Sequence, residues 1–281
     1  MSAGKLSIVA TPIGNLEDVT MRALRTLREC DCVLAEDTRR TQQLLARYEI
    51  RTPLKSFHAH SDARVVEARV AELREGRWYA LVSDAGTPVV SDPGADLIAA
   101  CLEAGVEIEA LPGPSAVTAA LVLSGLRSDG FRFVGFLPRS GKRRREALEA
   151  IAKDRLTTVL FESPHRLAKT LSELAEVVGA GRRAAVAREL TKLHEEVNRG
   201  TLGDLIDRYR EGARGEITLV VEGASDEEIQ GERAEVDLVA FLAESREKGE
   251  RLRDASKRLA KLLGISGAEA YKLLEEAQAG S

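Results

Sequence analysis

Cysteine is scarce in this chain of 281 residues: only Cys30, Cys32 and Cys101 occur. An odd number spread over so long a sequence excludes a disulfide framework, so a reducing compartment is expected. Cys30-Asp31-Cys32 runs into the apolar Val33-Leu34-Ala35, and no further cysteine supplies the ligands that a zinc site needs. Buried, unreactive thiols are expected there. His58-Ala59-His60 offers two imidazoles and no recognisable third ligand. No metal is therefore expected.

Long hydrophobic runs are missing too. Leu6–Ala10 is too short for a secretory core, and no stretch approaches the ~20 apolar residues of a membrane span. A cytoplasmic protein without membrane attachment is expected. There is no excess of positive charge, the formal net charge being −4. That argues against a generally basic nucleic-acid binder but leaves room for a local basic surface. Neither G-x-G-x-x-G after the first strand nor G-x-x-x-x-G-K-[ST] occurs, so a dinucleotide fold and a P-loop are unsupported.

What is present is an ordinary globular composition, 44% apolar and 31% charged, which argues against wholesale disorder. Short apolar or β-branched runs alternate with amphipathic stretches. Leu6–Ala10, Cys32–Ala35, Tyr79–Val82 and Val106–Leu111 read as strands, and helices are expected after Asp18, Thr38, Asp92 and Pro114. Such alternation implies an α/β domain with a mainly parallel sheet. Near Ser124–Ser140 the texture changes, which places a domain boundary at about residue 125. A second α/β unit follows, with strands near Thr157–Phe161, Ala184–Ala187 and Glu216–Val221 and helices after Pro164 and near Thr201. The acidic stretch Gly223–Arg233 suits a linker. Beyond it come amphipathic patterns near Val236–Ala243, Leu252–Leu263 and Gly267–Glu276, with Ser266 as an N-cap. Three parts are expected: 1–125, 126–224 and a helical module at 234–281. The last has helix-turn-helix spacing, which ordinary helical hairpins share.

In an open parallel sheet, ligands bind beyond the carboxyl ends of the strands. The four expected strands of the first domain are followed by Thr11-Pro-Ile-Gly-Asn15, Glu36-Asp-Thr-Arg-Arg-Thr41, Ser83-Asp-Ala-Gly-Thr-Pro88 (with Ser91-Asp-Pro-Gly94) and Pro112-Gly-Pro-Ser-Ala116. Glycines and small residues admit a ligand to the backbone, and carboxylates accept from hydroxyl or amino groups. Gly and Pro also simply make turns. Four such loops at one rim favour a small-ligand cleft, whose chemistry spacing alone leaves open.

The same loops resemble the ribosomal RNA small subunit methyltransferase I family, within the tetrapyrrole methylases. The resemblance rests on Val9-Ala-Thr-Pro-Ile-Gly-Asn-Leu-Glu-Asp18, Ala35-Glu-Asp-Thr-Arg39, Leu81-Val-Ser-Asp-Ala-Gly-Thr-Pro88, Ser91-Asp-Pro-Gly94, Leu111-Pro-Gly-Pro-Ser-Ala116, Gly135-Phe-Leu-Pro138, Glu162-Ser-Pro-His-Arg166 and Arg188-Glu-Leu-Thr-Lys192. These strings stand in the family's order and span residues 5 to about 222. The resemblance implies a two-domain α/β fold with S-adenosylmethionine in the cleft between the domains, a homodimer, and 2′-O-methylation of a cytidine in the decoding region of 16S rRNA. It implies cofactor contacts at Pro12, Asp84, Gly86, Thr87, Ser115 and Ala116, and at Phe161, Leu190 and Thr218 in the second domain. Val89-Val90 departs from the family's more usual Gly-Ile, adding bulk where only glycine is free at positive φ. Rival acceptors on the same fold are a porphyrin-type macrocycle or a protein side chain, and a non-catalytic ribosome-assembly factor is the reading from another class.

A ribose hydroxyl is a poor nucleophile until its proton leaves, so a base is expected. Candidates in matching motifs are Glu36, Asp37 and Glu189, with Lys192 if desolvated. Glu36 and Asp37 equally suit a helix cap, and Glu189 an ion pair with Arg188 or Lys192. For RNA, the basic candidates are Arg39, Arg40, Lys142, Arg143, Arg144, Arg145 and Arg166, with Arg188 and Lys192 nearer the cleft. A run such as Lys142–Arg145 is either a solvated helix face or a grip on phosphates. His58 and His60 either stack on unpaired bases or are structural.

Overall fold

The three central strands of the first sheet are apolar runs buried on both faces, the pattern of parallel strands covered by helices on each side. The sheet consists of β1 (Lys5–Val9), β2 (Cys32–Ala35), β3 (Leu54–Ser56), β4 (Trp78–Val82) and β5 (Glu107–Leu111), in the order β3-β2-β4-β1-β5. All the pairings in it are parallel. The structure is a computed structural model and describes residues 4–58, 62–225 and 238–279. His60 lies outside the described residues.

Alternation along the strands sends Val9, Val33, Ala80 and Val82 to one face, where α1 (Met21–Glu29) and α2 (Thr38–Arg47) cover them. Leu6, Ile8, Leu34 and Leu81 point the other way, toward α3 (Ala63–Arg74) and α4 (Ala95–Glu103). β1 and β4 are neighbours, yet the chain leaves them to opposite faces. A crevice therefore opens between their carboxyl ends, the place where open α/β sheets bind ligands.

The second sheet is mixed: β6 (Phe131–Phe136), β7 (Thr157–Glu162), β8 (Arg183–Arg188), β9 (Glu196–Thr201) and β10 (Ile217–Val221), in the order β6-β7-β10-β8-β9. Only β6 and β7 pair in parallel. One face packs on α6 (Lys142–Lys153), α7 (Leu167–Val178) and α8 (Leu202–Arg208) through Leu148, Leu171, Leu174 and Leu202. The other face packs on α5 (Ala116–Ser124): Val117, Ala120 and Leu121 meet Val159, Ala185 and Val220. The helix that follows β5 thus joins the two sheets, and Met1–Gly223 forms one compact unit.

Ala224–Ser281 forms a second unit. Its helices α9 (Leu238–Glu247), α10 (Leu252–Leu263) and α11 (Gly267–Ala279) share a core of Phe241, Leu242, Ala255, Leu259, Ala270 and Leu274. Gly264 ends α10 in the left-handed region, and Ser266 caps α11. The Ser266 hydroxyl accepts from Glu269 N at 3.2 Å, and the Glu269 carboxylate accepts from Ser266 N at 3.0 Å. Among the described residues no helix is long and apolar enough to cross a membrane, and no group of three or more His, Cys, Asp or Glu is placed to hold a metal ion. The three cysteines are buried. Burial pushes the Cys30 thiol up to about 12 and Cys101 up to about 11.

Candidate functional site

The crevice is shaped by short backbone contacts between loops. Thr11 N donates to Gly86 O at 2.8 Å and Gly86 N to Thr11 O at 3.0 Å, which ties the loop after β1 to the loop after β4. Gly86 has φ +81°, and a Cβ there would meet Ile13 at 3.4 Å. Gly14 lies against the turn after β8, where a Cβ would come within 2.5 Å of the Lys192 side chain and 2.8 Å of Leu190 O. Asn15 N donates to Thr191 Oγ1 at 3.0 Å across the same contact. Two residues of that turn, Glu189 and Thr191, hold φ of +51° and +63°. The first sheet's loops are thereby closed onto the ends of the second sheet's strands.

Between them lies a cavity of about 440 Å³, within the range of small-molecule sites. From the first sheet it is lined by Ile13, by the stretch Asp84–Thr87 and by Val90–Asp92. Ser115–Val117 line it at the start of α5. From the second sheet come Phe161–Pro164 at the end of β7, Ala187 and Leu190 at the end of β8, and Gly215–Thr218 at the start of β10. β10 runs antiparallel to its neighbours, with Thr218 opposite both Phe161 and Ala187. Its entry end, rather than its carboxyl end, therefore reaches the cavity. Apolar Ile13, Val117, Phe161 and Leu190 face charged Asp84, Asp92, Glu162, Glu216 and Arg40.

Asp84, Gly86, Thr87, Ser115, Ala116, Phe161, Leu190 and Thr218 all lie on this wall. Pro12 is buried behind it and shapes the loop between Thr11 and Ile13. The four base candidates lie off the wall. Asp37 caps α2: its carboxylate accepts from Arg39 N at 2.9 Å and pairs with the Arg39 guanidinium at 2.7 Å, which holds it down at about 2. Glu189 accepts from Lys192 Nζ at 2.8 Å and Glu216 N at 2.9 Å, and these bonds lower its pKa. Desolvation works against the Lys192 ammonium, but its bonds to Glu189 and Glu216 outweigh that and raise its pKa, the reverse of what a basic lysine needs. Glu36 is half-buried, and burial together with nearby Asp84 pushes its carboxyl up.

The basic candidates divide as well. Arg144 is only 3% exposed, so it is unavailable to phosphates. It donates to Thr170 Oγ1 at 2.8 Å, Pro138 O at 3.0 Å and Glu173 Oε2 at 2.8 Å. Arg144, Leu148 and Ile151 share the buried face of α6, which corrects the view of the run as four equivalent cations. Arg166 donates to Leu137 O at 2.8 Å and lies 3.4 Å from Glu162. Lys142, Arg143 and Arg145 are exposed. Arg39 is exposed beside Asp37, and Arg40 reaches the cavity wall 3.8 Å from Glu216. Arg188 is paired with Glu196 at 2.9 Å.

Sequence reasoning missed Asp92, Glu162 and Gly215–Glu216 as wall residues. Ser91-Asp-Pro-Gly94 and Glu162-Ser-Pro-His-Arg166 were visible as motifs, so Asp92 and Glu162 had a signal. Glu216 had none, because a strand reversed in the sheet breaks the carboxyl-end rule. The departure at Val89 proves to sit where backbone shape matters: Val89 holds φ +74° and Ser91 φ +68°. A β-branched side chain at such an angle is strained.

Residues 5–206 match the family model of Tetrapyrrole (Corrin/Porphyrin) Methylases. A protein of Thermotoga maritima named ribosomal RNA small subunit methyltransferase I is 49% identical over 221 residues, 78% of this chain and 99% of that one. The chain belongs to the ribosomal RNA small subunit methyltransferase I family. A family member from Synechocystis is 43% identical over 277 residues, covering 98% of this chain and 99% of its own. The Thermotoga family member is matched almost end to end by 78% of this chain, so about a fifth of the present sequence has no counterpart in it. Among solved structures, uroporphyrin-III C-methyl transferase from Thermus thermophilus, crystallised with S-adenosyl homocysteine, superposes with a TM-score of 0.58. It is 19% identical, and the match covers 78% of this chain and 97% of that one, so it shares the fold of this family member.

Proposed function

We propose that this protein transfers the methyl group of S-adenosylmethionine to the ribose 2′-hydroxyl of a cytidine in the decoding region of 16S rRNA. The observation that carries this reading is the single cavity on which the loop motifs of the first sheet and the strand ends of the second converge. Its lining suits the cofactor. Gly86, at φ +81°, takes a backbone turn on the cavity wall that a side chain would strain. Asp84, Thr87, Ser115 and Thr218 supply polar groups, and Ile13, Phe161 and Leu190 supply apolar surface. The bound cofactor supplies an already activated methyl on a sulfonium.

The protein's own work is to orient the acceptor oxygen, exclude water and take up a proton. Closure of the Gly14 loop on the 189–192 turn seals one side. The bond from Asp37 N to Asp84 Oδ1, 2.8 Å, fixes the carboxylate that faces the cavity. Arg39, Arg40, Lys142, Arg143 and Arg145 remain candidates for phosphate contact, and the substrate is proposed to be the 30S subunit, bound by a cytoplasmic homodimer. Residues 1–125 and 126–224 act as the two lobes of the cleft, and 234–281 as an accessory module. In that module Lys248, Lys257, Arg258 and Lys272 are paired with acidic neighbours, which leaves a weaker basic surface than the count of its cations suggests.

Purified protein incubated with 30S subunits and methyl-labelled S-adenosylmethionine tests the reading. Label on one ribose, in a linkage resistant to alkali because the 2′-oxygen is blocked, is expected. Label on a base, or transfer to a macrocycle and not to RNA, would contradict it.

A further inference from the structure

The cavity wall carries four carboxylates; two lie beside cations, and a third, Asp84, is assigned above to the cofactor. Glu162 is 2% exposed; it accepts from Thr170 Oγ1 at 2.6 Å and Ser163 N at 2.7 Å, with Arg166 at 3.4 Å. Asp84 accepts from Asp37 N. Glu216 lies 3.1 Å from the Lys192 ammonium and 3.8 Å from Arg40. The fourth, Asp92, is half-buried, and among the described residues no cation pairs with it; the neutral Ser83 hydroxyl is the one group near it that favours its charged form. A carboxylate that must accept a proton needs a lone pair committed neither to a cation nor to the cofactor, on the wall of the cavity where the reaction takes place.

We propose that Asp92 is the general base that removes the proton of the ribose hydroxyl; the proposal rests on the ribose-methylating reading above. The O–H bond breaks with its proton passing to the Asp92 carboxylate, and the oxygen forms a bond to the methyl carbon. The electrons of the S–C bond return to sulfur, leaving a neutral thioether, and the proton then leaves to water. Asp92 precedes α4, and the like charges that act on it are Glu36 after β2 and Asp84 after β4. His58 acts electrostatically on Glu36, and Arg40 of α2 shares the wall. Burial, reinforced by Glu36 and Asp84 and offset in part by Ser83, pushes the Asp92 carboxyl up to about 6. A base so placed is ionised at neutral pH and still a stronger proton acceptor than an ordinary aspartate. The positive-φ residues Val89 and Ser91 set the loop that presents it.

The test compares wild type, Asp92→Asn and Asp92→Ala on 30S subunits with labelled S-adenosylmethionine, alongside calorimetric cofactor binding. Cofactor affinity is expected to stay within about twofold while the single-turnover rate falls by about 10²–10⁴-fold. Added formate is expected to restore part of the rate to Asp92→Ala and none to Asp92→Asn. Carbon-13 NMR of the wild-type protein alone is expected to show one aspartate carboxyl titrating near pH 6, absent from Asp92→Asn, and the wild-type rate should rise with pH through the same region. Ribose methylation by Asp92→Asn at the wild-type rate overturns the base alone. So does a loss of cofactor affinity as large as the loss of rate, or an Asp92 carboxyl titrating at about 3.9. A wild-type protein that places no methyl on ribose overturns the activity and the base together.

Discussion

Replacing Arg144 with alanine separates the architecture of the second sheet from its contact with RNA. The guanidinium sits on the buried face of α6 and donates to Thr170 on α7, to Glu173 one turn further on, and to the carbonyl of Pro138 after β6. Thr170 in turn donates to Glu162 on the cavity wall. Truncation removes charge-assisted bonds to three partners, leaves Pro138 O without this donor and strips the Glu173 carboxylate of its main cation. Breaking one partner out of a buried ion pair costs about 3–5 kcal/mol. For a chain of this size that lowers the melting temperature by roughly 6–20 °C. Exposed Arg143→Ala and Arg145→Ala should stay within about 0.5 kcal/mol of wild type. If they touch phosphates, each should reduce the salt slope of RNA binding by about one unit. Urea unfolding and salt-dependent RNA titration of the three variants give both readouts. Arg144→Ala losing under 1 kcal/mol while lowering the salt slope would refute the reasoning.

Val89→Gly should relieve backbone strain of about 1–3 kcal/mol at φ +74°, against about 0.5–1 kcal/mol of added unfolded-chain entropy. A net change between about 0 and about 2.5 kcal/mol of stabilisation in urea unfolding is therefore expected, and a loss larger than about 1 kcal/mol would contradict it. Glu196 is held down at about 2 by Asn198, Arg208 and Arg188. Its folded value lies below its ordinary one, so the stability it adds is complete above the usual carboxylate range and is lost as pH falls toward 2. Glu196→Gln should flatten the fall in urea midpoint between pH 5 and pH 3; an unchanged slope speaks against the pairing. A chain truncated after Gly223 should bind S-adenosylmethionine normally but methylate 30S subunits poorly, worst at high salt. Equal methylation by the folded truncated chain would make the helical unit a cap.

The three central strands of the first sheet were legible because apolar runs between turn signals are what a doubly covered parallel strand requires, and edge strand β5 was legible from the apolar residues and turn signals around it. β3 spans three residues, Leu54–Ser56, too few for any pattern. β9, Glu196–Thr201, has no apolar alternation and is held by pairing with β8 and by the ion pairs of Glu196 with Arg188 and Arg208. The rim of loops could be read directly, since one parallel sheet delivers every carboxyl end to one side. The second sheet's share came from the family resemblance alone, because antiparallel β10 offers its opposite end. Arg144 carried an overlooked signal: it stands four and seven residues before Leu148 and Ile151, on the apolar stripe of its helix. Asp92 was visible within its motif, but only the cations beside Glu162 and Glu216 and the assignment of Asp84 to the cofactor set it apart.

Nucleoside mass spectrometry of 16S rRNA from cells lacking the gene, complemented with wild type or Asp84→Ala, tests the central claim most directly. One 2′-O-methylcytidine of the decoding region should vanish on deletion and return with wild type. It should return poorly with Asp84→Ala, whose cofactor affinity should fall by about tenfold or more with the loss of a charge-assisted bond. A 2′-O-methylcytidine that persists without the gene, or returns in full with a folded Asp84→Ala protein of unchanged cofactor affinity, would contradict the account.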